Sequence, residues 1–327
     1  PATTSGFDNV MIRHILEYVS GIRRNYDAAD IANALSLPLP ISLQTGAAWL
    51  GAQPLVFQPP SIFGPTPSSY SYYSNAAWML TAECIRVRSG QSFLAFLQNQ
   101  VFTPLAITRA KVSPSSLAAL AADDVFPHLP WLRTEPMQLD NSGTRVSEQF
   151  HEDLFFKRAS GGMSCSVVDY VRFLCGVFDL QGSDSIVLND TTRTYALEPH
   201  TFVQYENPLP NPPDHEQLCR AGMSWETRAN GVTSYRKTGG LGSASTVAYW
   251  RTDGWSFAIF ANIVDASLPT AAVPAHLDGM TAWPNVDEFP SYGMPSFPQR
   301  PRLEAISPAS LQHVTSSYFT VTGKRMD

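Results

Sequence analysis

Lysine is nearly missing from this sequence. Lys111, Lys157, Lys237 and Lys324 are the only four in 327 residues. A lysine that falls inside a motif is therefore less often there by chance. The net charge is −6 and there is no basic block, so the electrostatic footprint of a nucleic-acid binder is absent. No apolar run reaches the length that crosses a bilayer, which excludes a helical membrane span. The cysteines, Cys84, Cys165, Cys175 and Cys219, form no C-x-x-C pair, so zinc ribbons and thioredoxin-like redox chemistry are not expected. The seven histidines include no H-E-x-x-H and no i, i+4 pair. The run His151-Glu152-Asp153 fits no ligand geometry and reads as a solvated loop, so neither metal nor cofactor is expected. A G-x-S-x-G elbow is also lacking. Gly162-Met-Ser164-Cys-Ser166 and Gly222-Met-Ser224-Trp-Glu226 both fail at the second glycine.

What is present is ample apolar material. The chain is 44% hydrophobic and 15% charged, enough for a large core in one domain or a domain with an insertion. It begins at Pro1 with no Met and no signal peptide, which reads as a processed product or a fragment. Low charge, abundant proline and the sequon Asn189-Asp190-Thr191 point to a secreted, extracellular protein.

The periodicity predicts a helix over Asn9 to Val19, capped by Asp8 or Asn9, with Gly21 at its C′ position. Residues 23–69 read mostly as loop. Asn75 to Arg88 reads as a helix with Trp78, Leu80, Cys84 and Ile85 inward and Gly90 at its end; Ser92 to Val101 is another. Residues 110–160 read as irregular, and Ser166-Val-Val-Asp169 is a capping box that opens a helix. Cys165 and Cys175 would lie far apart on that helix and should not be bonded, and Cys84 reads as a buried free thiol. The period then becomes strand-like. Gly222 to Glu226, Thr233 to Lys237, Ser245 to Arg251 and Trp255 to Ile263 read as successive antiparallel strands, with turns at Gly239-Gly240 and Thr252-Asp253-Gly254. A helix is expected over Thr270 to Trp283 and a small strand near Ser317 to Thr322. Helices followed by antiparallel strands make the class α+β.

Two short patterns carry chemistry. In Lys237-Thr238-Gly239-Gly240, a lysine at a strand end can hold a substrate carboxylate or a catalytic hydroxyl. The glycines let a backbone approach a ligand, and a Gly240 N–H can serve an oxyanion. In Tyr73-Ser74-Asn75, a phenol beside cations can relay a proton, and an amide two residues on can bind a substrate carbonyl and N–H. Each pattern alone has a plain reading, a Gly-Gly turn and an aromatic cluster before a helix.

Five segments in order resemble the serine β-lactamase and penicillin-binding-protein family, including class C β-lactamases, D,D-carboxypeptidases and related esterases. Val10-Met-Ile-Arg-His-Ile-Leu-Glu-Tyr-Val-Ser-Gly21 is similar to the family's "T-I-R-H-L-L-T-H-T-S-G". Phe57-Gln-Pro-Pro60 with Tyr73-Ser-Asn75 resembles "F-x-P-G … Y-S-N". Gly90 to Leu97 with Val101 to Ala106 resembles "G-x-x-x-x-x-F-L … I-F-x-P-L-G", and Ala159 to Phe173 resembles "A-G-G-L-x-S-T-x-x-D-x-x-x-F". Lys237-Thr-Gly239 has the K-T-G form of the third motif.

The resemblance implies a β-lactamase-like fold, with an antiparallel sheet flanked by helices and a mostly helical subdomain at about 60–165. The sheet would occupy about 220–265 of a domain covering 1–283, and 284–327 would be a Pro-rich extension. It implies Tyr73 and Lys237 as catalytic residues, Asn75, Thr238 and Gly239 as substrate contacts, and Gly240 as an oxyanion donor. The secreted character and the tail fit the polyglycine-hydrolase-like branch. The family's nucleophile, the serine of S-x-x-K, precedes the "I-R-H-L-L" helix and is not found here. The lone S-x-x-K match, Ser234 to Lys237, lies in a strand, where positions i and i+3 face opposite ways. The expectation is the C-terminal part of a serine hydrolase acting through an acyl-enzyme on an amide, peptide, ester or lactam. Its partner would be an N-terminal segment carrying S-x-x-K, and the chain alone would be inactive. The alternative is a non-catalytic binding or scaffolding relative.

Overall fold

A computed structural model describes residues 6–59, 70–114, 119–125, 156–178, 186–204, 215–241, 244–262, 268, 272–279 and 287–296. The His151 run, Lys324, the piece near Ser317 and most of the C-terminal extension lie outside the described residues.

One sheet dominates, built from β1 (Tyr70–Ser71), β4 (Pro199–Gln204), β5 (His215–Cys219), β6 (Ser224–Thr227), β7 (Thr233–Leu241), β8 (Ala244–Arg251) and β9 (Ser256–Ala261), in that spatial order. β4 through β9 are antiparallel, and β1 joins β4 in parallel at one edge. A separate ribbon pairs β2 (Lys111–Val112) with β3 (Met163–Ser164).

Alternation along the strands gives the sheet two cores. Tyr235, Ala248, Trp250 and Ala258 face α6 (Val167–Phe178), which supplies Val171, Leu174, Cys175 and Phe178. Val247, Tyr249 and Phe257 point the other way and meet Leu277 of α8 (Ala272–Asp278). The Ser166 hydroxyl opens α6 as expected: it accepts from the Asp169 N–H at 3.1 Å and donates to the Asp169 carboxylate at 2.9 Å.

The helical half comprises α1 (Ile12–Leu16), α2 (Ala28–Leu35), α3 (Leu43–Gly51) and α4 (Asn75–Ser89), packed around Ile15, Ile31, Leu50, Ala76 and Met79. Then come α5 (Phe93–Leu97) with a π turn over Gln98–Phe102, and, after β3 and α6, α7 (Asp190–Leu197). Serine caps recur: Ser42, Ser74 and Ser92 each accept from the N–H three residues on.

Several readings of the sequence are corrected here. The first helix is short; it starts after Met11, whose N–H donates to His14 Nδ1 at 2.9 Å, and ends at Leu16. Gly21 is therefore not its C′ residue. It sits at φ 69° where a Cβ would lie 1.9 Å from the Phe57 carbonyl oxygen, so a close chain crossing requires the glycine. Within residues 23–69, expected to be mostly loop, the structure places two helices, α2 and α3. On α4 the buried positions are Ala76, Ala77, Met79 and Ala82, three of them small residues that let the helix pack closely. Trp78, Leu80, Cys84 and Ile85 are only half-buried. Gly239 and Gly240 are not a turn, because β7 runs on to Leu241 and pairs them with Thr246 and Ser245. Cys165 precedes α6 rather than lying on it, and none of the four cysteines is in a disulfide. Burial pushes the Cys165 thiol up to about 12.

Candidate active site

The site forms where the exit of α1, the entry of α4 and the strand β7 meet. After Leu16 the chain turns sharply through Tyr18, a non-glycine residue at φ 59°. Such a conformation costs on the order of 1–3 kcal/mol and persists only where the surroundings over-determine it. Here they do. The Val19 N–H reaches the His14 carbonyl at 2.8 Å, and the Tyr18 carbonyl accepts from the Tyr72 N–H at 2.6 Å. That second bond fixes the strand-like approach to Tyr73 and α4.

Tyr73 is half-buried. Its ring meets Tyr18 edge-on at 5.0 Å between centroids, and the Arg24 guanidinium lies 5.8 Å from its centroid. Burial raises the phenol above its ordinary value, and Arg24 offsets this only in part, so Tyr73 rests protonated at neutral pH. Ser74 caps α4. Its hydroxyl accepts from the Ala77 N–H at 3.0 Å and donates to the Arg23 carbonyl at 2.8 Å. Asn75 is the first residue of α4, and its amide nitrogen donates to the Asn25 Oδ1 at 2.8 Å.

Lys237 lies within β7, opposite Ala248 of β8. Its Nζ donates to the Tyr18 hydroxyl and, at 3.0 Å, to the Gly222 carbonyl. The ammonium stands 5.2 Å from the Tyr73 ring centroid, within cation–π range, and meets Tyr18 through its hydroxyl, 4.8 Å from that ring's centroid. The structure thus brings Tyr73 and Lys237 together. Thr238, Gly239 and Gly240 follow on the exposed end of β7. Gly239 has a reason other than ligand approach: a Cβ there would lie 2.5 Å from the Thr246 Oγ1 across the ladder. Gly240 has open space, with the nearest neighbour to a Cβ at 4.0 Å. Among the described residues, β6 pairs with β7 only from Thr233 to Arg236, so no described strand covers that edge of β7 from Lys237 to Leu241. An uncovered edge beside a lysine is suited to an extended ligand.

Beside Lys237 opens a pocket of about 170 Å³, lined by Trp78, Tyr170, Phe173, Met223 and Tyr235 among others. Ser234 does not reach it: strand alternation puts Ser234 on the face opposite Tyr235 and Lys237, where its buried hydroxyl has no hydrogen-bond partner among the described residues. Groups of histidine, cysteine and carboxylate that could hold a metal are absent among the described residues.

The Beta-lactamase family model matches residues 1–277. The chain belongs to that family. A solved D-stereospecific amidohydrolase from Streptomyces sp. is similar at 19% identity and TM-score 0.50, over 74% of this chain and 64% of its own. A penicillin binding protein from Bacillus halodurans is similar at 16% identity and TM-score 0.55, over 84% and 74%. An octameric penicillin-binding protein homologue from Pyrococcus abyssi is similar at 16% identity and TM-score 0.53, over 82% and 56%. The chain thus spans less than two thirds of the Streptomyces and Pyrococcus proteins. No curated protein sequence matches it. The fold is β-lactamase-like α+β, and none of its described helices is long and apolar enough to cross a membrane.

Within this β-lactamase-family scaffold, sequence reasoning missed Tyr18 and Gly222. Tyr18 fell inside the helix expected over Asn9 to Val19, and Gly222 inside a strand. The signal for Gly222 was its glycine at a strand border, where it takes φ 69°.

Proposed function

We propose that this chain supplies the proton-relay and cation half of an acyl-transfer site, and that the nucleophilic serine comes from an S-x-x-K segment outside residues 1–327. The carrying observation is the convergence of Tyr73 and Lys237, with 5.2 Å from ring centroid to Nζ, at the uncovered edge of β7. In this reading the S-x-x-K lysine takes the proton of the attacking serine, protonated Tyr73 gives its own proton to the leaving amine or alcohol and is reprotonated from that lysine, and Lys237 supplies fixed positive charge. The acyl-enzyme then forms with loss of the amine or alcohol, and water releases the acid. Thr238 and Gly239 line the bound substrate, and the Gly240 N–H donates to the oxyanion. Asn75 exchanges its bond to Asn25 for one to the substrate amide. A peptide or amide substrate is favoured over an ester, because an amide next to a carboxylate uses both Asn75 and the Lys237-Thr238 pair. The D-stereospecific amidohydrolase named above is consistent with that preference.

In this reading an apolar side chain of the serine-bearing segment enters the pocket beside Lys237, whose apolar walls do not suit a charged substrate. The exposed sequon residue Asn189 supports a secreted protein.

The test is intact mass spectrometry after incubation with a penicillin or a fluorophosphonate. The expected result is no adduct on residues 1–327, and a stoichiometric adduct on the S-x-x-K serine in the longer product of the same reading frame. An adduct on a serine of this chain means the nucleophile is misplaced. No adduct on the longer product favours a binding or scaffolding role.

A further inference from the structure

We infer that Tyr18 is the positioning residue of the site: its backbone fixes Tyr73 and its phenol fixes Lys237. The two motifs are far apart in sequence, and Tyr18 touches both. Through its carbonyl it holds the Tyr72 N–H at 2.6 Å, one residue before Tyr73. Its hydroxyl accepts from Lys237 and donates to the Gly222 carbonyl at 2.9 Å, so the donor and an acceptor site of the phenol are both used. The Gly222 carbonyl also accepts from Lys237 at 3.0 Å, which closes a three-membered ring of hydrogen bonds. Trp78 and Tyr73 meet the Tyr18 ring edge-on at 6.3 and 5.0 Å.

The ring of bonds explains two backbone outliers together. Tyr18 adopts φ 59°, and Gly222 adopts φ 69° with no room for a side chain: a Cβ would lie 2.8 Å from the Leu16 carbonyl and 2.9 Å from the Tyr18 phenol. The neighbouring residues tie the same two loops a second time, through the Glu17–Arg220 ion pair at 2.6 Å, with Arg220 also bonded to Glu198 at 2.9 Å. A lysine ammonium on its four-carbon stem is otherwise a mobile point charge. Two oxygen acceptors confine it to the position from which it meets the Tyr73 ring.

The inference rests on Lys237 being the cation of the proposed site, but its test does not depend on turnover. The full chain is treated with limiting N-hydroxysuccinimide acetate, and peptide mapping gives the acetylation rate of each lysine. Lys111 and Lys157, paired with Asp124 at 2.7 Å and Asp27 at 2.9 Å, serve as internal controls. In the wild-type chain Lys237 is expected to react several-fold more slowly than either control. Tyr18→Phe keeps the ring and the carbonyl to Tyr72 while deleting the hydroxyl. It is expected to raise the Lys237 rate about tenfold, the scale of one charge-assisted hydrogen bond, with the controls within about twofold and the near-UV circular dichroism unchanged. A wild-type Lys237 that reacts as fast as the controls overturns the inference without any variant, and so does a folded Tyr18→Phe chain with an unchanged Lys237 rate. A protected Lys237 in a protein that never acylates keeps the clamp and removes the proposed reaction.

Discussion

The Lys237 ammonium sits 5.2 Å from the centre of the Tyr73 ring, although 163 residues of chain separate the two. One residue comes from the rising end of β7 and the other from the entry to α4. Neither element could place them alone, so the fit of the sheet against the helical half is what creates the site. Several local devices hold that fit.

Ser74 is one such device. It is buried, caps α4 and tethers the helix to the Arg23 carbonyl. Replacing it with alanine removes a cap and leaves a carbonyl without its hydroxyl donor. The expected loss is about 1–3 kcal/mol, read as a lower urea midpoint with an unchanged m-value. A midpoint equal to wild type means the cap does not hold the helix.

The crossing at Gly21 is another. Its φ is left-handed, and a methyl group on its Cα would stand 1.9 Å from the Phe57 carbonyl oxygen, so alanine fits only if backbone moves. Gly21→Ala is expected to cost about 2–4 kcal/mol, whereas Gly51→Ala, in open space on α3, is expected to cost far less. Equal thermal midpoints for the two variants contradict the crossing.

Tyr170 gives a pH signature. Burial pushes its phenol up to about 12 from an ordinary value of 10.0. The unfolded chain therefore ionises this group first. Its stabilising contribution is complete below pH 10 and is lost as the pH rises towards 12. Urea midpoints measured from pH 8 to 11.5 should fall above pH 10, and more shallowly in Tyr170→Phe. Parallel curves for the two proteins would show that Tyr170 ionises freely in the folded state.

Much of the sheet was legible because its signals are local. The strands β6 to β9 are rich in Thr, Val and aromatic residues, and Thr252-Asp253-Gly254 separates the last two. The K-T-G and Y-S-N patterns are local in the same way, and the structure brings their Lys237 and Tyr73 to 5.2 Å, ammonium to ring centroid. Helices α2 and α3 were hidden by the polar and Pro-rich residues around them, although Asp27 and Ser42 stand as their N-caps. Strands β4 and β5 carry too many polar residues to alternate visibly, and they rely on their neighbours in the sheet. Tyr18 could not be read at all. Its role depends on a left-handed turn and on Gly222, 204 positions away, and no local pattern encodes that meeting.

The central claim is that Tyr73 and Lys237 serve an acyl-transfer reaction. The most direct measurement is the single-turnover rate of acylation, with a chromogenic amide or penicillin, in the reading-frame product that includes an S-x-x-K segment. Tyr73→Phe and Lys237→Ala are each predicted to slow acylation by about 10²–10⁴-fold while both variants keep the wild-type thermal midpoint within a few degrees. Folded variants that acylate within about threefold of wild type would contradict the account.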